Sequence, residues 1–263
     1  MPKKNQSPNL DPVVVASMLL HSNLPTVLVE GVYDVGWYRV LLRKGGIKWS
    51  LQPAGGRNSL FVIHDMLVGK GNRQVVYVAD RDMFSFTGIP SSYADVVFTS
   101  GYSIENDVLK DSYVHRLFTD AERQLIAGYK GELAKWFSFC AEQKLAGKEP
   151  ELDVPINAVA EHDRQTGRVS LKTAYLAHIG YVPPAQSTVD RVLSEFEMIF
   201  RGKCLLGLYA WVTKFRHPSD GASHSEGGLM DVAVNDDLGA ARAELVSRID
   251  TAISMVREKE GSK

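Results

Sequence analysis

Cysteine is scarce in this chain: of 263 residues only Cys140 and Cys204 carry a thiol, and neither has a second sulfur or a histidine at metal-ligand spacing. That excludes a disulfide-built scaffold and a zinc knuckle, and it leaves two buried thiols as the expectation. No apolar run approaches the roughly 20 residues that cross a bilayer, so no membrane association is expected. The residues before Pro12 include Pro2, Pro8 and two lysines and lack the apolar core of a secretory signal; a reducing, cytoplasmic setting follows as an expectation. Nor is one sign of charge in excess. Thirty Lys and Arg stand against 31 Asp and Glu, so any basic surface for nucleic acid must be a local patch rather than a net field. Gly69-Lys70-Gly71 lacks the spacing and the following Ser or Thr of a P-loop, which argues against ATP hydrolysis by this chain. His162, His217 and His224 lie in polar stretches without the i, i+4 pair of a zinc helix.

The chain does hold enough apolar residues, 44%, for one large domain or two modest ones. After a lead and a short helix over Pro12–Ser22, with Asp11 as N-cap and Pro12 in the first helical position, the pattern changes. Thr26–Val29 is a continuous β-branched run that suits a strand covered on both faces, and it stops at Glu30-Gly31. Helix Tyr33–Leu42, strand Lys48–Gln52, helix Arg57–Val68, strand Gln74–Ala79 and strand Ala94–Thr99 follow. Strands alternating with helices predict an α/β domain with a parallel sheet and right-handed crossovers over residues 24–107, after a lead over 1–23. Residues 108–263 read as mainly helical, with helices at 120–143, 188–201, 203–215 and 238–259, a hairpin within 147–168 and a loop at 217–228. Leu245, Ile249, Ile253 and Val256 form a helical stripe suited to a core or to a partner surface.

Three acidic points share a location in this scheme. Glu30 ends the first strand, Asp80 and Asp82 end the third, and Asp34 lies one helical turn beyond Glu30. In an open parallel sheet, function collects outside the carboxyl ends of the strands. Carboxylates brought together there repel, by roughly 4 kcal/mol for two charges about 4 Å apart at an effective dielectric of about 20, so a cation is expected among them. Mg²⁺, or Mn²⁺ in its place, accepts carboxylate oxygens while keeping waters and substrate phosphates.

The order Val29-Glu30-Gly31-x-x-Asp34, followed by a strand ending in Asp80-x-Asp82, resembles the Toprim domain of topoisomerases, bacterial primases, recombination proteins and the overcoming-lysogenization-defect nucleases. The stretch Gly101-Tyr102-Ser103-Ile104-Glu105-Asn106-Asp107 resembles the Tyr-Ser-Ile-Glu-Asn signature of a nuclease-like Toprim branch encoded beside ABC-type ATPases in phage defence, including the Toprim subunit of the PARIS system. Arg201-Gly202-Lys203-Cys204-Leu205-Leu206 resembles the segment that opens a C-terminal helix in that branch. The resemblance covers residues 24–107 well and the rest thinly. Where the family often has Glu-Gly-Lys/Glu-x-Asp, this chain has Glu30-Gly31-Val32-Tyr33-Asp34, which drops a basic phosphate contact and keeps the carboxylates.

The resemblance implies a Mg-dependent endonuclease. It would cut tRNA, other RNA or DNA as the toxic effector of an abortive anti-phage system, held by a companion ABC-type ATPase; residues 108–263 are separately expected to serve dimerisation or partner docking, giving a homodimer when active. Glu30, Asp80, Asp82 and Glu105 would be catalytic, and Glu30, Asp34, Asp80, Asp82 and Glu105 the metal ligands. A second metal at Glu105 would suit two-metal hydrolysis; helix capping by Ser103, with Glu105 and Asp107 against the helix dipole, is the alternative reading. Arg57 and Lys203 are phosphate-contact candidates because each follows glycine at a helix start. A scaffold that binds nucleic acid or senses a partner without cutting is the alternative function. Trp37, Trp49, Trp136 and Trp211 sit in apolar contexts that suit core or interface.

Overall fold

The computed structural model describes residues 10–70, 74–215 and 221–261, with side chains up to Glu258. The lead before Leu10, Gly71 of the rejected P-loop and His217 lie outside the described residues. The chain divides into two compact units. The first takes in the chain up to Asp80, Pro90–Thr99 and everything from Ala240 on; the second takes in Arg81–Ile89 and Ser100–Gly239.

The first unit is an α/β layer structure. Helix α1 (Pro12–Leu20) opens as its sequence requires, the Asp11 carboxylate accepting from the Val13 amide at 2.8 Å with Pro12 in the first turn. Strands β1 (Thr26–Val29), β2 (Ser50–Pro53), β3 (Val75–Ala79) and β4 (Val97–Phe98) form one parallel sheet in the order β2-β1-β3-β4. Every residue of β1 and β3 is buried, which is why both read as unbroken apolar runs rather than alternating ones.

Helix α2 (Asp34–Lys44) carries the chain from β1 outward to β2, and α3 (Arg57–Leu67) carries it back across β1 to β3. Right-handed crossovers in opposite directions put these two helices on opposite faces. Accordingly α1 packs on α3, while the last helix, Ala240–Gly261, packs on α2, β3 and β4. Its Leu245, Ile249 and Ile253 are at most 2% exposed, so the apolar stripe is core. Val256 lies outside that core, at intermediate exposure. Arg248 Nη1 donates to the Phe98 carbonyl of the edge strand at 2.7 Å.

The sequence boundary at Asp107 therefore does not coincide with the division of the chain. A helix whose Arg248 lies 150 residues beyond Phe98 closes the sheet unit, and periodicity alone could not say what its stripe would meet.

The second unit is mainly helical. Its main elements include α4 (Ile104–Leu109), α5 (Asp120–Leu145), the antiparallel hairpin β5 (Ala160–His162) and β6 (Val169–Leu171), then α6 (Gln186–Ser194), α7 (Phe196–Ile199), α8 (Gly202–Val212) and α9 (Glu226–Asn235). Helix α5 starts at a capping box. The Thr119 amide donates to Glu122 Oε2 at 2.8 Å, and the Glu122 amide donates to Thr119 Oγ1 at 3.3 Å.

Leu133, Trp136, Phe137 and Phe200 are fully buried in this unit, as are the thiols of Cys140 and Cys204. Trp49 is also buried, whereas Trp37 and Trp211 are intermediate. The helix expected over 188–201 is broken into α6 and α7, and the end of the expected loop over 217–228 is already helical, as α9. Ser225 starts α9, its hydroxyl accepting from the Gly228 amide at 3.0 Å.

Because Ile249 fills the layer between the last helix and the sheet with none of its side chain exposed, Ile249→Ala should cost about 2–5 kcal/mol through the cavity it leaves. Urea unfolding followed by circular dichroism checks this, with a lowered midpoint as the expected result.

Candidate functional site

In the order β2-β1-β3-β4 the connection after β1 leaves toward β2 and the one after β3 leaves toward β4. The carboxyl ends of β1 and β3 therefore flank the point where the winding reverses, the place at which an open α/β sheet leaves a crevice. Val29 is level with Val78 in the register, so Glu30, one residue beyond the pair, and Asp80, two residues beyond it, leave neighbouring strands at the same end of the sheet. Glu30 Oε1 accepts from the Asp80 amide at 3.0 Å.

Arg57, at the start of α3, completes the first-unit rim. Its Nη1 donates to the Asp80 carbonyl at 2.5 Å and lies 3.4 Å from Glu30 Oε1. The pair is 21% and 14% exposed at the side chains, so it is screened less than a surface ion pair. Arg57 reaches the rim by its side chain alone, because the Gly55 and Gly56 amides both donate to the Glu30 carbonyl, at 3.1 and 2.8 Å, and are not open to an anion. Asp34 braces the same turn, with Oδ2 accepting from the Gly31 amide at 2.9 Å.

This rim brings the Glu30 carboxylate, the Asp80 backbone and the Arg57 guanidinium together. Among the described residues no group of three or more His, Cys, Asp or Glu side chains is arranged to hold a metal ion. The donor set suits a hard cation of the kind bound by one or two carboxylates, with waters and substrate phosphate supplying the remaining oxygens; it does not form a closed protein cage.

The other predicted residues belong to the second unit. Asp82 has φ of 48°, a left-handed conformation that Asp adopts more readily than most residues, and its amide donates to the Tyr102 carbonyl at 2.7 Å. Tyr102 begins the signature stretch, which proves to be a self-bracing loop. Asp107 accepts from the Ser100 and Gly101 amides at 2.8 and 2.6 Å. Asn106 Oδ1 accepts from the Ser103 amide at 3.0 Å, and its Nδ2 donates to the Glu197 and Phe200 carbonyls at 2.7 and 2.9 Å.

Glu105, proposed above as catalytic, is only 3% exposed, and its Oε2 accepts from Ser103 Oγ at 2.6 Å. The geometry gives it a bracing role. The capping alternative is the one the structure shows: Ser103 is the N-cap, with Asn106 closing its capping box and Glu105 and Asp107 in the first turn, and Asp107 also ties down the loop before the helix.

Gly202 explains part of the later motif. A Cβ there would sit 2.2 Å from Ser103 Oγ and 2.6 Å from Asn106 Oδ1, so only glycine lets α8 start against the signature loop. That close approach is to side chains and not to an anion. Lys203 next to it is exposed.

Helix α7, which receives Asn106, is fixed in turn by Glu197. Lys130 Nζ lies 2.6 Å from Glu197 Oε1, and Lys110 Nζ and His115 Nε2 each lie 4.0 Å from Oε2. Burial pushes the Glu197 carboxyl up, but the hydrogen bond and charge of Lys130, with the charges of His115 and Lys110, outweigh it and hold the group below the ordinary value of 4.5. Sequence reading missed this cluster, since its members are far apart in the chain and none lies in a motif. No protein-family model matches this chain, and no curated protein matches it.

Gly202→Ala is expected to destabilise the second unit by about 1–3 kcal/mol through overpacking, read as a lower urea midpoint. Glu197 contributes stability that is complete above its unfolded pKa and is lost as pH falls through its lower folded one. The stability advantage of the natural chain over Glu197→Gln should therefore be full at neutral pH and shrink below about pH 4.5, as measured by melting temperature against pH.

Proposed function

We propose that the protein is a metal-dependent nuclease of the Toprim type, the toxic effector of an anti-phage system whose companion is an ABC-type ATPase. The observation that carries this reading is the meeting of Glu30 and Asp80 at the winding reversal of a parallel sheet, tied by the Asp80 amide at 3.0 Å. Two acidic side chains at that point have the chemistry to hold Mg²⁺ or Mn²⁺ against a phosphate, where the ion would polarise the phosphodiester and lower the pKa of a bound water.

Glu30 and Asp80 are the ligands assigned from the first unit. Asp82 joins them on the strength of the resemblance, since it follows Asp80 by two residues and belongs to the second unit. Arg57, already turned to this rim, is positioned to meet the negative charge of a substrate phosphate. Asp34, Glu105 and Asp107 are bracing residues in this reading. Substrates are tRNA, other RNA or DNA, and the working form is a homodimer.

One observation favours the alternative of a subunit that binds without cutting: Arg57 already supplies a countercharge to Glu30, so the carboxylate does not need a metal to be stable.

Two experiments separate the readings. Purified protein with Mg²⁺ is expected to cut labelled tRNA or duplex DNA once freed from its ATPase, with EDTA abolishing the cut and Glu30→Ala lowering it at least about 100-fold. Induced expression of Glu30→Ala in the host should be harmless where the natural chain is toxic. Toxicity undiminished in that variant would overturn the nuclease reading in favour of the binding one.

A further inference from the structure

Within the second unit, the segment before α5, together with α5, α7 and α8, lines an open pocket of about 190 Å³. Its apolar floor includes Phe118, Ile126 and the ring of Tyr209, and its wall carries His115, Arg123 and Lys130 around a single carboxylate, Glu197. Lys110 stands beside the same carboxylate at 4.0 Å.

The charges do not cancel. Lys110, Arg123 and Lys130 are three permanent cations, and His115 adds a fourth when protonated. Against them stand Glu197 and Asp120, which pairs with Arg123 from three residues earlier on α5 and is 92% exposed, so its charge is largely answered by water. Glu197 accepts from Lys130 and Tyr209 on Oε1, at 2.6 and 3.3 Å. An ammonium carries three N–H donors and a guanidinium five, so most of the donors around this wall are not taken up by that one carboxylate. Lys110 and Lys130 share one carboxylate within 4.0 Å and Arg123 lines the same pocket, so a further anion would relieve the repulsion among them.

The wall is open to a ligand, because the Arg123 and Lys130 side chains are 50% and 25% exposed. A tetrahedral phosphate answers such a wall better than a carboxylate, since it offers more acceptor oxygens to the guanidinium fork and the ammonium at once.

We propose that this pocket is a phosphate-binding site, with Arg123 and Lys130 gripping the phosphate while Glu197 holds Lys130, Lys110 and His115 in place behind it. The site goes beyond the nuclease reading and does not depend on the chemistry of the acidic rim. If the ligand is a nucleic acid, the second unit holds its backbone independently of the metal.

The test uses the full chain in EDTA, so that no cleavage intrudes. Inorganic phosphate is titrated by calorimetry, and a labelled single-stranded oligonucleotide without a terminal phosphate by fluorescence anisotropy at about 50 and 200 mM salt. Arg123→Gln removes one gripping charge and breaks only an exposed pair within one helix. Lys135→Gln, on the same helix and paired only with Glu132 at 2.7 Å, removes an equal charge as control.

Arg123→Gln should weaken phosphate binding about fivefold or more, with Lys135→Gln close to the natural chain. If oligonucleotide binding falls in parallel and its salt slope drops by about one, the ligand is the phosphodiester backbone; if only inorganic phosphate responds, it is a free or terminal phosphate. Should the natural chain bind neither probe at millimolar concentration, or should the two variants weaken binding alike, the proposal is overturned. Because the titrations are run in EDTA, no metal acts at the acidic rim, which keeps a failure of that rim separate from a failure of this site.

Discussion

The first unit depends on the level pairing of β1 with β3. With Val29 opposite Val78, β3 runs one residue past the end of β1, and a one-residue slip would turn every side chain of a strand to the other face of the sheet. Complete burial of both strands on both faces enforces that register. The Glu30 side chain then reinforces it beyond the last strand residue by accepting from the Asp80 amide, and Arg57 binds the result to the start of α3. One carboxylate thus serves as a structural acceptor and as the leading functional candidate. The negative charge that chemistry would use is held in a geometry the fold itself needs.

The signature loop of the second unit follows a different logic. Ser103, Glu105, Asn106 and Asp107 are all 6% exposed or less, and each is engaged with its neighbours or with the backbone around α7. Buried polar groups of this kind are costly unless fully satisfied, and once satisfied they specify a single arrangement. The motif therefore reads as a clasp. Its acidic residues look catalytic in a linear sequence because Asp and Glu serve hydrogen-bonded caps and metal sites alike. Only the distances separate the two uses.

Much of the first unit was legible because its signals are local. The unbroken apolar run at Thr26–Val29, the Asp11-Pro12 helix start and the glycine stops fix where elements begin and end, and alternation of strands with helices gives the parallel sheet. The approach of the Glu30 side chain to the Asp80 backbone is consistent with the same topology. What could not be read was anything that joins distant segments. The last helix returns to the sheet, Asn106 reaches the carbonyls of Glu197 and Phe200, and four basic side chains gather on Glu197 and its surroundings. The break between α6 and α7 was missed for a related reason: helical periodicity continues through it, while the carbonyls at the end of α7 turn to receive Asn106. Gly202 was noticed as motif but misread as an anion-facing glycine, because a missing Cβ does not say what comes close.

The returning last helix also has a consequence for synthesis. Most of the second unit is one continuous stretch, and it can pack as that stretch leaves the ribosome. The sheet unit cannot close until Arg248 reaches Phe98, 150 residues after that strand was made. Glu30 and Asp80 are translated well before the helix that covers one face of their sheet. A growing chain thus carries its acidic pair on an unfinished support until residues 240–261 have been made.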